Sequence, residues 1–256
     1  PKYLRLLQDG TPQTGTHGLG DRVAGQLQVD SATWTCIVPR VCVWCRTYWI
    51  EPSFTGCNRG ITMTTADSSV FARLRSDIDS CDLCREHLPL GPRPVLRAHP
   101  RARILIVGQA PGNAVHKTGI PFNDPSGDRL RRWLGVNKTI FYDEQHIALV
   151  PMGFCYPGRG NGGDLPPRPE CAKTWRRSLL SHLQHIQLTI AVGRYAIDWH
   201  LQPNKASTLT EIVRGWKDYT PAVVPLPHPS PRNTRWLQRN PWVEAEIVPY
   251  LQQRVK

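Results

Sequence analysis

The stretch Ala102-Arg103-Ile104-Leu105-Ile106-Val107-Gly108-Gln109-Ala110-Pro111-Gly112 holds four consecutive large aliphatic residues and ends in a loop bounded by glycines. An unbroken aliphatic run of this length predicts a strand buried on both faces, with the small residues leaving its carboxyl end. Further apolar runs at residues 146–150, 188–192 before Gly193, and 222–226 predict three more strands. Helical periodicity separates them: one helix begins near Ser126, carries Leu130, Trp133 and Leu134 inward and stops at Gly135, and others span about 170–184 and 195–201. Strands that alternate with helices imply a three-layer α/β/α sandwich around a mainly parallel four-stranded sheet. Ligands of such sheets bind outside the carboxyl ends of the strands. The loops at 108–112 and 227–233 and the segment after Val150 are therefore the places to look for function.

Working toward the N-terminus, an amphipathic helix is expected at about 69–80, with Val70, Leu74 and Ile78 on one face, followed by Cys81 and Cys84. Residues 1–62 lack sustained periodicity of either kind and precede the first methionine, Met63, so they are expected to be a non-native or disordered extension ahead of a domain at 63–256. Within them Cys42-x-x-Cys45, with Cys36 and Cys57, matches the spacing of no common zinc module. Charge divides at the same place. The first 62 residues hold 6 basic and 4 acidic residues, and the remainder holds 26 and 16.

The 256 residues, 40% of them hydrophobic, suffice for a real core, and a formal net charge of +12 suits a polyanionic partner. Ribosomal and membrane-surface proteins are equally basic, so charge alone does not select nucleic acid. No apolar run is long enough to span a bilayer, and no segment resembles a secretory signal. A monomeric, cytoplasmic protein without a membrane partner is expected, nucleoid-associated if prokaryotic. Eight cysteines in that setting are read as metal ligands or free thiols.

The loop Gly108-Gln109-Ala110-Pro111-Gly112 lacks both the Gly-Lys-Ser/Thr of a phosphate-binding loop and the Gly-x-Gly-x-x-Gly of a dinucleotide site, which excludes those two readings. Small residues there still let backbone amides approach a ligand. In Pro225-Leu226-Pro227-His228-Pro229-Ser230-Pro231-Arg232-Asn233 four prolines stiffen the chain around one histidine. A histidine held there is either simply exposed or a hydrogen-bond donor to negative charge developing on a leaving group. Four thiols from three segments, Cys81, Cys84, Cys155 and Cys171, suit either a [4Fe–4S] cluster or tetrahedral zinc, or remain buried thiols.

Together, Gly108 to Gly112, then Thr118-Gly119-Ile120-Pro121-Phe122, then His228-Pro229-Ser230, resemble the uracil-DNA glycosylase superfamily, and over about residues 80–252 the chain looks closest to its iron–sulfur branch. That branch has a Cys-x-x-Cys before the first strand and two cysteines about sixteen positions apart later, as Cys81, Cys84, Cys155 and Cys171 are here. The resemblance implies an enzyme that flips a uracil or related deaminated base out of DNA and hydrolyses its N-glycosidic bond, with a [4Fe–4S] cluster favoured over zinc. It implies that Phe122 stacks on the base, that Ala110, Pro111, Gly112 and Asn123 line its pocket, and that His228 donates to the base O2. Asp124 or Gln109 then positions the water, or Asp124 offsets the positive charge developing on the sugar. Asp124 is the first choice, because a glutamine cannot act as a general base, although Asp124 before Pro125 equally suits a helix cap.

Ser230, Arg232 and Asn233 fall where the family's loop presses into the minor groove, and Lys117, Arg129, Arg131, Arg132, Arg159 and Arg235 are candidate phosphate contacts. The chain departs from the family at Pro151, where an asparagine normally reads the base, and Asn123 or the backbone groups of residues 152–154 are the alternatives. A catalytically weak protein that binds flipped-base or abasic DNA, and a zinc-dependent nucleic-acid-binding module, are the competing functions.

Overall fold

The computed structural model describes residues 65–255, and the expectations for residues 1–62 lie outside the described residues. Four parallel strands, β1 (Ile104–Val107), β2 (Ile147–Leu149), and the two later ones at Leu188–Val192 and Val223–Leu226, form one sheet in which β1 is flanked by β2 and by Leu188–Val192. The register pairs Ile104 with Ile147 on one side and with Leu188 on the other. All side chains of the two inner strands are buried, which is why their sequences read as unbroken apolar runs. Helices flank the sheet, as the alternation in the sequence requires.

A two-stranded hairpin, β3 (Arg159–Gly160) and β4 (Gly163–Asp164), is inserted before the third strand of the sheet, hereafter β5 (Leu188–Val192), and the fourth is β6 (Val223–Leu226). Pro225 pairs in register with Ala191, which is possible because β6 lies at the sheet's edge and the missing N–H is not needed by a further strand. The opposite edge, at β2, is closed by Arg97, which exchanges backbone hydrogen bonds with Leu149 at 2.9 and 2.7 Å.

The helices are α1 (Thr65–Asp79), α2 (Asn113–Thr118), α3 (Pro125–Leu134), α4 (Lys138–Phe141), α5 (Pro169–Cys171), α6 (Arg177–Ser181), α7 (Arg194–Leu201), α8 (Leu209–Arg214), α9 (Thr234–Arg239) and α10 (Val248–Val255). A π-helical turn at Ala172–Arg176 joins α5 to α6, giving the helical stretch expected at 170–184. In α1 the buried stripe is Phe71, Leu74 and Ile78, and Val70 is 55% exposed. Leu74 and Ile78 lie on the expected face, and Phe71 rather than Val70 completes it, its ring meeting His182 edge-on at 5.7 Å. In α3 the expected Leu130, Trp133 and Leu134 are buried, and Gly135 closes the helix at φ 65°, a left-handed cap that glycine adopts without strain.

Candidate active site

Chain direction brings the 108–112 loop after β1, the 150–158 segment after β2, Gly193 after β5 and the proline-rich loop after β6 to one edge of the sheet. The pocket between them is lined by Gln109, Ala110, Pro111 and Gly112 from the first loop, by Phe122, Asp124 and Ser126 around the start of α3, and by Pro151 and His228. An adjoining cleft adds Gly162, Gly163 and Asp164 from the hairpin, and Ser230, Arg232 and Asn233. Of the residues expected from the sequence to act in catalysis, line the base pocket or press into the minor groove, Asn123 alone lines neither; its N–H closes a turn on Ile120 O at 3.3 Å.

Phe122 has a φ of 54°, an uncommon backbone conformation for a residue with a bulky side chain. Three neighbours hold it there. A Cβ at Gly127 would come 1.7 Å from the Phe122 carbonyl oxygen, so only glycine permits the turn to fold onto α3. The Arg131 guanidinium donates to that same carbonyl at 3.2 Å, and the Phe122 ring meets Phe141 edge-on at a centroid separation of 6.1 Å. The ring tip also lies 3.2 Å from where a Cβ at Gly108 would stand, so glycine at the strand's end lets the ring lie close over the loop. Arg131 is 6% exposed and cannot reach phosphate; it is part of this support. Arg129 likewise turns inward, donating to Ser230 O at 3.1 Å and Thr234 Oγ1 at 3.0 Å, and thereby ties α3 to the His228 loop. Lys117, Arg132, Arg159 and Arg235 remain exposed.

Asp124 is the N-cap of α3: its Oδ1 accepts from Gly127 N–H at 2.8 Å, and Pro125 occupies the first helical position. Both readings of Asp124 are thus compatible, since the cap uses one oxygen and the residue still lines the pocket.

His228 is held by its own loop. Ser230 N–H donates to Nδ1 at 3.2 Å, and Asn233 Nδ2 donates to the His228 carbonyl at 2.8 Å. Burial pulls the imidazole's pKa below its ordinary value, and the nearby carboxylates of Asp124 and Asp164 offset only part of that. The ring is therefore neutral at pH 7, and because Nδ1 accepts, its proton sits on Nε2.

Two features were not foreseen. The hairpin is tied to both loops, since Gln109 Nε2 donates to Leu165 O at 2.9 Å and Arg232 Nη1 donates to Gly162 O at 3.4 Å. Gln109 thus has its amide N–H committed to the hairpin. Beneath the site, the fully buried Arg176 donates to Pro151 O at 3.1 Å and pairs with His200 Nε2 at 2.9 Å, which fixes the corner that follows β2.

The model for the uracil DNA glycosylase superfamily matches residues 97–252. The chain belongs to this superfamily. The matched span contains the whole sheet and every pocket residue except Val95, and this superfamily domain presents the three loops of the site at one sheet edge.

In this superfamily member the backbone N–H groups of residues 152–154 are already engaged. Met152 N–H donates to Gly108 O at 2.9 Å, Gly153 N–H to Gln109 O at 3.0 Å, and Phe154 N–H to Cys171 Sγ at 3.3 Å. These bonds stitch the post-β2 segment to the 108–112 loop. The buried Ser126, which the sequence suggested only as a helix start, also lines the pocket and carries a hydroxyl.

Cys155 and Cys171 lie inside the matched span, and Cys81 and Cys84 lie before it. All four line one pocket, with Trp175, Phe154 and Arg168. Trp175 Nε1 donates to Cys81 Sγ at 3.3 Å. Burial pushes the Cys155 thiol up to about 11 and the Cys171 thiol up to about 12. Among the described residues no group of three or more histidine, cysteine or acidic side chains has metal-holding geometry, so the four thiols share a pocket without being drawn together as ligands. Four cysteines are a donor set that suits a tetrathiolate site, and N–H groups already point at two of the sulfurs. No helix among the described residues is long and apolar enough to cross a membrane.

Proposed function

We propose that the domain at 63–256 is a monofunctional DNA glycosylase that extrudes uracil or a related deaminated base from DNA and hydrolyses its N-glycosidic bond. The observation that carries this reading is His228, neutral and with its proton on Nε2, held on a stiff loop that lines the same pocket as Phe122. The Phe122 ring stacks on the extruded base, with Ala110, Pro111 and Gly112 along the pocket wall and Asn123 at its margin. Nε2–H of His228 donates to the base O2 as the bond to C1′ breaks, which favours departure of the base as an anion. Asp124 stands by the sugar, where its charge offsets the cation developing there. Ser230, Arg232 and Asn233 meet the DNA beside the flipped nucleotide. None of the described lysines lines the pocket, which supports hydrolysis without a covalent amine intermediate.

With Pro151 in the pocket and the 152–154 amides engaged, the hydroxyl of Ser126 is the group that reads the base edge. One hydroxyl can donate or accept, so it tolerates several deaminated bases. The cysteines support kinship with the iron–sulfur branch: Cys81, Cys84, Cys155 and Cys171 would hold a [4Fe–4S] cluster, which supplies a cross-link between the domain's start and the loop carrying the hairpin. Anaerobically purified protein is expected to be brown with iron and sulfide in equal amounts; stoichiometric zinc in their place would overturn the cluster.

Duplex oligonucleotides carrying uracil, hypoxanthine or xanthine, treated with protein and then alkali, test the activity. Strand scission at one or more of these bases is expected. The second reading, a DNA-binding or abasic-site-binding protein without efficient chemistry, draws on Gln109, whose amide is committed to Leu165, and on Pro151. Tight binding with no scission on any substrate would establish it. The protein is expected to act as a monomer in the cytoplasm.

A further inference from the structure

The carboxylate that the chemistry leaves unassigned is Asp164, at the end of β4. Its hairpin, Arg159-Gly160-Asn161-Gly162-Gly163-Asp164, is held over the cleft by the bonds from Gln109 and Arg232. A methyl group at Gly112 would come 3.3 Å from Asp164 Oδ2, so the carboxylate stands directly over the loop that forms the pocket wall. The same cleft holds Asp124 and His228, and the charge of Asp164 is felt at His228.

Asp164 also has nothing else to do. Among the described residues no hydrogen bond or ion pair engages its carboxylate, and the side chain of Arg159, its partner in register, forms none with it. At the mouth of a DNA-binding cleft an unpaired carboxylate is repelled by phosphate, so it weakens binding rather than supporting it. Asp124 differs. Its Oδ1 is committed to the cap of α3, which suits a fixed charge better than a group that must take up a proton.

Resting on the glycosylase reading, we propose that Asp164 is the general base of the reaction, and that Asp124 acts as the fixed counter-charge to the sugar. The C1′–N bond breaks with its electron pair leaving on the base, which His228 Nε2–H stabilises. A water oxygen bonds to C1′ while its proton passes to the Asp164 carboxylate. That proton is later lost to solvent, the departed base gains one, and an abasic sugar with a hydroxyl at C1′ remains.

The test compares wild type with Asp164→Ala and Asp164→Asn in single-turnover excision, together with affinity for a duplex carrying a tetrahydrofuran abasic-site analogue. Because Asp164 is exposed and unpaired, both variants are expected to fold as wild type. Excision should fall about 100-fold in each, the lower range for a positioned general base, while analogue affinity is unchanged or tighter. Added formate should restore part of the rate in Asp164→Ala. Rates within about twofold of wild type, a loss matched by an equal loss of affinity, or a loss that formate leaves untouched would each overturn the role of Asp164. Wild-type protein inactive on every damaged base would instead overturn the glycosylase reading and this inference with it.

Discussion

The backbone N–H of Ser230 donates to Nδ1 of His228 at 3.2 Å, which assigns the ring's only proton to Nε2 and makes Nε2–H the ring's donor. The arrangement works only while the ring is neutral, and burial depresses its pKa below the usual 6.5. Excision is therefore expected to be level from about pH 8 to neutrality and to fall on acidification only below about pH 6.5, where Nδ1 takes up a proton and breaks the bond to Ser230. His228→Ala should lower the single-turnover rate at least about tenfold at neutral pH with DNA affinity largely retained. A variant as active as wild type would remove His228 from the chemistry.

Asp124 carries both a cap and a charge, and two substitutions separate them. Asn is also a good N-cap, so Asp124→Asn should keep stability within a few tenths of a kcal/mol and lower excision at least about tenfold. Asp124→Ala should add a stability loss of about 1 kcal/mol, read by urea denaturation. Equal excision rates in Asp124→Asn and wild type would leave the residue as a cap alone.

Gly127 is required by the turn that presents Phe122. Since any Cβ at that position would collide with the Phe122 carbonyl, Gly127→Ala is expected to cost about 3 kcal/mol or to unseat the ring. Phe122→Ala should instead fold normally and lose about 1–3 kcal/mol of binding to a flipped base, the usual worth of base–aromatic stacking. The comparison is made by melting temperature and by affinity for a non-cleavable uracil analogue.

Beneath the pocket, burial first and then the Arg176 guanidinium push His200 down to about 4. Between pH 6.5 and about 4 the unfolded chain binds a proton here that the folded chain does not, so stability contributed by the neutral ring is lost as pH falls through that window. The loss approaches about 3 kcal/mol at its lower end. His200→Gln, which can still accept from Arg176 and does not titrate, should flatten that part of the stability curve in urea titrations. An unchanged slope would place the acid loss elsewhere.

Much of the scaffold was legible in the amino-acid sequence. Four apolar runs were recognisable because strands buried on both faces need apolar residues at every position, and Pro225 is compatible with the edge place that β6 takes. The 108–112 loop and the His228 loop stood out for the same reason, being glycine- and proline-bounded segments at the carboxyl ends of those runs. The hairpin was not legible. Two strands of two residues each, built from Arg, Gly and Asp, bury nothing and leave no periodic pattern, so Asp164 escaped notice. Arg131 and Arg129 were read as candidate phosphate contacts because a sequence of basic residues on a helix does not say which of them turn inward.

By itself the amino-acid sequence determined the parallel α/β architecture, the edge of the sheet where the pocket loops gather, and the resemblance that the superfamily match later bore out, since all three follow from local patterns of apolar, glycine and proline residues. Tertiary structure alone decided the proton's position on His228, the cap at Asp124, the engagement of the 152–154 amides and the arrival of Asp164 at the cleft. Those depend on hydrogen bonds and close approaches between residues that packing brings together from different loops or turns back on themselves, and no local pattern records them.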